Sequence, residues 1–142
     1  MDEQLRQARA YDLILQAEEH IRRFIANNLM KHYGEGWLTT GVSPRIQKKV
    51  IARSGEFNPN WTITDFLRRL DFADYKSVIL ERPSWQRVFS SQIKDRNDIA
   101  TDLMELNVYR RSVAHSRPVS QEEFASLNGR VTDLLRKLKL RK

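Results

Sequence analysis

The chain has 142 residues, 40% of them hydrophobic and 30% charged, a balance too apolar for a disordered chain and too polar for a membrane protein. No apolar run approaches the roughly 20 residues that span a bilayer, so a single soluble domain over residues 1–142 is expected. A formal charge of +7 attracts polyanions, nucleic acid first among them, unless the excess is only a solvated basic face with the tail Arg136 to Lys142, and the lack of cysteine excludes disulfides, thiolate metal sites and cysteine nucleophiles.

Residues 2–32 hold neither Gly nor Pro, and Ile14, Ala17, Ile21, Phe24, Ile25 and Asn28 recur at three- and four-residue steps, which predicts a long first helix stopping at Gly34 and Gly36. Trp37 is expected to begin a connecting segment. Ser43-Pro44 reads as an N-cap with proline at the first helical position, opening a short basic helix to about Ser54-Gly55. An irregular link follows from Glu56 to Trp61, and Thr62 or Thr64 can cap the next helix, with Phe66, Leu67 and Leu70 on its apolar side. After a break near Asp71 the pattern resumes in Phe72, Tyr75, Val78 and Ile79, ends at Pro83, and leaves Ser84 to cap a short helix holding Trp85, Val88 and Phe89. A second long helix is predicted from Asp95 to about His115, with Ile99, Leu103, Leu106, Tyr109 or Arg110, and Val113 in step. Ser116-Arg117-Pro118 breaks it, and Ser120 with Glu123 forms a capping box for the last helix, whose stripe is Phe124, Leu127, Val131, Leu134, Leu135 and Leu138. No segment demands a strand, so the expected architecture is an all-α bundle of three long helices joined by shorter ones.

Common catalytic signatures are missing: there is no glycine-rich phosphate loop, no paired histidines at the spacing of a helical zinc site, and no Gly-x-Ser-x-Gly elbow. No metal or cofactor is expected. His20 and His32 read as structural or partly exposed residues. The acidic, polar start MDEQLRQARAYD does not read as a signal peptide, and a cytoplasmic location is expected.

One cluster could carry chemistry, Asn107 to Arg117 at the end of the second long helix. RNA cleavage needs a group to handle a proton on the 2′-hydroxyl or the leaving oxygen, and cations to steady the anionic phosphorane. Histidine does the first near neutral pH, and arginine does the second through planar donors. The helical advance puts Arg111 and His115 on neighbouring faces one turn apart, but sets Arg110 about 140 degrees from His115 unless the helix ends or distorts between them. From residue types alone, a basic helix end that complements the helix dipole explains the same cluster.

The order Arg, four residues, His in Arg110-Arg111-Ser112-Val113-Ala114-His115, preceded by Leu103-x-x-Leu106-Asn107, resembles the signature of the HEPN family of helical RNA-associated domains. The likeness extends to Glu19 to Ile25 with Tyr33-Gly34-x-x-Trp37, to Leu70 to Ile79 followed by Trp85-x-x-Val88-Phe89, and to His115-Ser116-Arg117 before the capping box, and these are similar to the HEPN branch that accompanies RNA-surveillance nucleases. The resemblance implies an all-helical homodimer in which two motif helices face each other and form one composite, metal-independent ribonuclease site. Carried over, Arg110 would hold the scissile phosphate and His115 would act on a proton or on the phosphate, while Arg111 and Arg117 are expected to bind RNA through their added charge. Arg111 departs from the family, which usually places a small polar residue there, most often asparagine. A rival reading is therefore a non-catalytic HEPN-like module that dimerises or docks a protein partner and binds RNA weakly. A double-stranded DNA binder is disfavoured because no pair of helices shows the compact helix-turn-helix turn.

Overall fold

The computed structural model describes residues 1–140, so Arg141 and Lys142 of the expected basic tail lie outside the described residues. Helix α1 (Glu3–Tyr33) starts where the Asp2 carboxylate accepts the Leu5 amide at 2.7 Å, and continues for 31 residues through a stretch free of helix breakers. Its stripe Ala10, Ile14, Ala17, Ile21, Phe24, Ile25 and Leu29 is buried, whereas Asn28 is half-buried and donates its amide to the Phe24 carbonyl. Gly34 closes the helix with φ 57, which glycine adopts without a Cβ clash.

The segment from Trp37, expected to be a plain connection, is the short helix α2 (Trp37–Gly41). Burial explains the difference: the Trp37 ring is 8% exposed and packs edge-on against Phe66, with centroids 5.5 Å apart, so the chain turns to carry it inward. A Cβ on Gly41 would stand 2.8 Å from two Tyr33 ring carbons, so this closure requires glycine. Helix α3 (Pro44–Ser54) is capped by Ser43 and ends at Gly55, φ 83. Helix α4 (Ile63–Leu67) carries a Thr62/Asp65 capping box, and α5 (Phe72–Leu80) an Asp71/Asp74 box that accounts for the break in the apolar pattern. Ser84 does not cap α6 (Ser84–Arg87). It is the first residue of the helix, fully buried, and its hydroxyl donates to the Gly41 carbonyl at 2.6 Å.

Helix α7 (Arg96–Ala114) is capped by Asp95, and α8 (Gln121–Lys137) by the Ser120/Glu123 box. Among the described residues there is no strand, so the chain is an all-α bundle with three long helices, α1, α7 and α8, as expected. Contacts at both ends give their directions. Arg6 meets Val119 and His20 meets Leu138, so α1 and α8 run parallel, while Gln7 meets Arg117 and Glu18 meets Arg110, so α7 runs antiparallel to α1. Helix α5 packs on α7 and also meets α1. No described helix is long and apolar enough to cross a membrane.

Two charge clusters pin the helices. Asp74, 1% exposed, accepts Lys49 Nζ at 2.6 Å and Arg53 Nη1 at 2.7 Å while also capping α5, which ties α3 to α5. Burial pushes its carboxyl up, but the bonds from Lys49, the Asp71 backbone and Arg53 more than offset this and hold it at about 2. Between α7 and α8, Asp102 takes Arg130 at 2.7 Å and Lys137 at 3.0 Å, and Lys137 also meets Asp133 at 2.7 Å. Burial alone would lower the Lys137 amine, yet these carboxylates hold it above its usual range.

Candidate functional site

The end of α7 is built by backbone geometry. His115 is the C-cap residue, Ser116 follows with φ 54, the Ser116 amide donates to the Val113 carbonyl at 3.0 Å, and the Arg117 amide donates to the Ser112 carbonyl at 2.9 Å. This pair of bonds is the Schellman closure, which normally places glycine in the left-handed position. Serine there costs about 1 kcal/mol or more, so the turn is held by something outside itself.

That support comes from α1. Gln7 donates its amide to the Arg117 carbonyl at 2.8 Å and accepts the Val119 amide at 3.1 Å, and Arg6 Nε donates to the Val119 carbonyl. Val119 itself is buried, 2% exposed. One glutamine thus clamps both sides of Pro118, and His115 sits exposed on a fixed helix end.

Arg110 belongs to a different neighbourhood. Its Nε lies 3.4 Å from Glu18 Oε1, and the other oxygen of Glu18 accepts Arg22 Nη1 at 3.4 Å. Arg22 also donates to the Tyr75 hydroxyl at 3.3 Å, and that hydroxyl donates to the Leu67 carbonyl at 3.0 Å. Burial pushes the Tyr75 hydroxyl up to about 12, against a smaller pull from Arg22, so it remains a neutral donor. Glu18 is 18% exposed and shared between two cations, which leaves Arg110 half-exposed at the edge of α7 facing α1. One turn before it, Asn107 is 2% exposed with its amide oxygen unpartnered.

The opposite face of α7 is uncovered. Asn97, Thr101, Met104, Val108, Arg111 and His115 follow at alternating four- and three-residue steps, all exposed, with Val108 62% exposed and Met104 41%. Arg111 and His115 therefore share a face, Arg110 stands apart from it, and Arg117 lies exposed beyond the turn. No side-chain hydrogen bond joins any two of these four residues within the chain, although the His115 amide donates to the Arg111 carbonyl at 3.1 Å. His20 bonds the Leu138 carbonyl, and His32 is exposed with its ring edge-on to Tyr33. No group of three or more His, Cys, Asp or Glu among the described residues could hold a metal ion.

Residues 13–139, most of the chain, match the family described as Swt1-like HEPN. The chain belongs to that family. No curated protein and no solved structure matches it. In this HEPN chain the expected family and the all-helical order of elements stand, and the Arg-x4-His segment ends α7 within the matched span. Neither Gln7 nor the Arg110–Glu18 pair is marked by any motif in the sequence. The Glu18–Arg22 spacing was visible as a helical i,i+4 pair, but its link to α7 depends on packing.

Proposed function

We propose that this HEPN chain is an RNA endonuclease whose site forms between two copies, metal-independent and centred on the α7 C-termini. The observation that carries this reading is the exposed α7 face, where a heptad-spaced row ends in Arg111 and His115 and has Met104 and Val108 uncovered at its middle. Pairing this face with its own copy about a two-fold axis would set two histidines and two arginine pairs around one cleft. In the cleft, the 2′-hydroxyl oxygen attacks phosphorus, the bond to the 5′ oxygen breaks, and a 2′,3′-cyclic phosphate and a free 5′-hydroxyl result. His115 would handle one of the two protons, while Arg111 and Arg110, once it leaves Glu18, would stabilise the phosphorane.

A second reading has a specific observation in its favour: Arg110 is engaged by Glu18, and Arg111 stands where the family usually has a small residue. On that reading the same face only dimerises or docks a protein. Incubation with mixed RNA in chelator separates the two. The nuclease reading expects cleavage by the parent, loss of about a hundredfold or more in His115→Ala with RNA affinity retained, and weakening of both in Arg110→Ala. Light scattering should show a dimer that Val108→Glu disrupts. A parent without cleavage, in which His115→Ala changes only dimerisation, would leave the scaffold reading, and cleavage surviving in both variants would sink the assignment of Arg110 and His115.

A further inference from the structure

The far end of the bundle carries a continuous groove. Its widest part, a cavity of about 720 Å³, is lined by Gln92, Lys94, Asp98, Arg136, Lys137 and Lys139. A second depression shares Gln92 and Lys139 and adds Asn27, Asn28 and Lys31, and a third shares Asn28, Lys31 and Gln92 and extends to Arg87. Asn28 and Tyr11 are both on α1, seventeen positions apart in the sequence numbering, so the groove lies about 25 Å along the axis from the α7 C-terminus that Tyr11 flanks.

The charge inside the groove is one-sided. Asp98 and Asp133 are answered by Lys137, with Arg136 also on Asp133, and Asp95 caps α7. Among the described residues no carboxylate lies within 4.0 Å of Lys31, Arg87, Lys94 or Lys139, so these four remain unneutralised along its length. Between them stand amides: Asn27 is exposed, Gln92 is at the junction of all three depressions, and Asn28 donates to the Phe24 carbonyl, leaving its oxygen as an acceptor. Spaced cations with interleaved amides suit a single strand, whose phosphates follow the charges and whose base edges meet the amides. A protein partner is disfavoured, because Phe24, Val88, Ile93 and Ile99 of the lining are buried in the core, none of the exposed large apolar side chains lines the groove, and protein interfaces centre on such anchors.

We propose that this groove is a second RNA-binding site, which holds single-stranded RNA at a distance from the α7 C-terminus and so selects long substrates over short ones. The inference rests on the RNA-cleaving reading and adds a grip that the motif does not supply.

The test uses the full chain and single-stranded RNAs of about 16 and about 4 nucleotides, lengths that bracket common single-strand sites. Lys31→Gln/Lys94→Gln/Lys139→Gln neutralises exposed groove positions, and Lys48→Gln/Lys76→Gln/Arg82→Gln removes the same charge on the α3–α5 side. Anisotropy against salt should show the groove variant losing about tenfold or more in affinity for the long RNA, with its log–log salt slope shallower by about 2. The control variant should move the slope little, and cleavage of the short RNA should be unchanged in both. Equal losses in the two variants, or none in the groove variant, would overturn the groove. Competition by polyglutamate as strong as by RNA, abolished in the groove variant, would assign the groove to an acidic protein and overturn it likewise. A parent that binds no RNA even at low salt overturns the nuclease reading itself, an outcome distinct from a parent that binds RNA through other surfaces.

Discussion

Asp74 and Glu18 are each shared by two cations, and they differ in burial and in bond length. Asp74 is 1% exposed, its two bonds are 2.6 and 2.7 Å, and it caps a helix as well. Glu18 is 18% exposed, with both cations at 3.4 Å. A buried carboxylate is tolerated only when short, well-aimed donors saturate it, so Asp74 can have no second duty. Glu18 is held loosely enough that a phosphate could take Arg110 from it. Ion-pair count says little here, while burial and bond length show which pair is held more loosely.

Removing Asp74 should have the largest effect. Asp74→Ala leaves Lys49 and Arg53 without their carboxylate and removes the Asp74 half of the α5 capping box, and because both cations are partly exposed we expect about 3 kcal/mol of destabilisation in urea unfolding. A loss below about 1 kcal/mol would erase the distinction from Glu18.

Acid should act on the same residue. With its folded value lowered to about 2 from 3.8, Asp74 contributes stability that is fully present above about pH 4 and is lost as pH falls through about 2, roughly 2 kcal/mol in all. Denaturant unfolding followed from about pH 5 to about pH 2, the range in which carboxylates titrate, should show an acid loss that is smaller by roughly 2 kcal/mol in Asp74→Asn, which starts lower.

Glu18→Gln should move stability least, by under about 1 kcal/mol, since Arg110 is 42% exposed. Its readout is functional: release of Arg110 should tighten RNA binding by about tenfold or less while leaving the helicity of the chain intact. Unchanged RNA affinity with a large stability loss would make Glu18 a second Asp74.

Much of this was legible in the sequence because it is local. The caps at Ser43 and Ser120 and the stop at Gly34 are decided within a few residues and stand where their residue types placed them, and of the two threonines offered for α4 it is Thr62 that caps. The errors were tertiary. Ser84 has the chemistry of a cap but is drawn inward to the Gly41 carbonyl, and the stretch after Trp37 coils because its ring has a place beside Phe66. At the site, the helical advance correctly separated Arg110 from the face shared by Arg111 and His115, since α7 stays regular through Ala114. The partner of Arg110 could not be read, because Glu18 belongs to a helix whose register against α7 is set by the whole core.

The Gln7 clamp has a consequence for the order in which the chain becomes organised. Gln7 and Arg117 are 110 positions apart, so the turn behind His115 is fastened only after the beginning and the end of the chain have met. Contacts of such long range carry the largest loop-closure cost and form late. The helix bearing the motif can therefore be complete while its final turn is still unlatched, and the latch belongs to the first turns of α1, ahead of residue 13 where the family match begins.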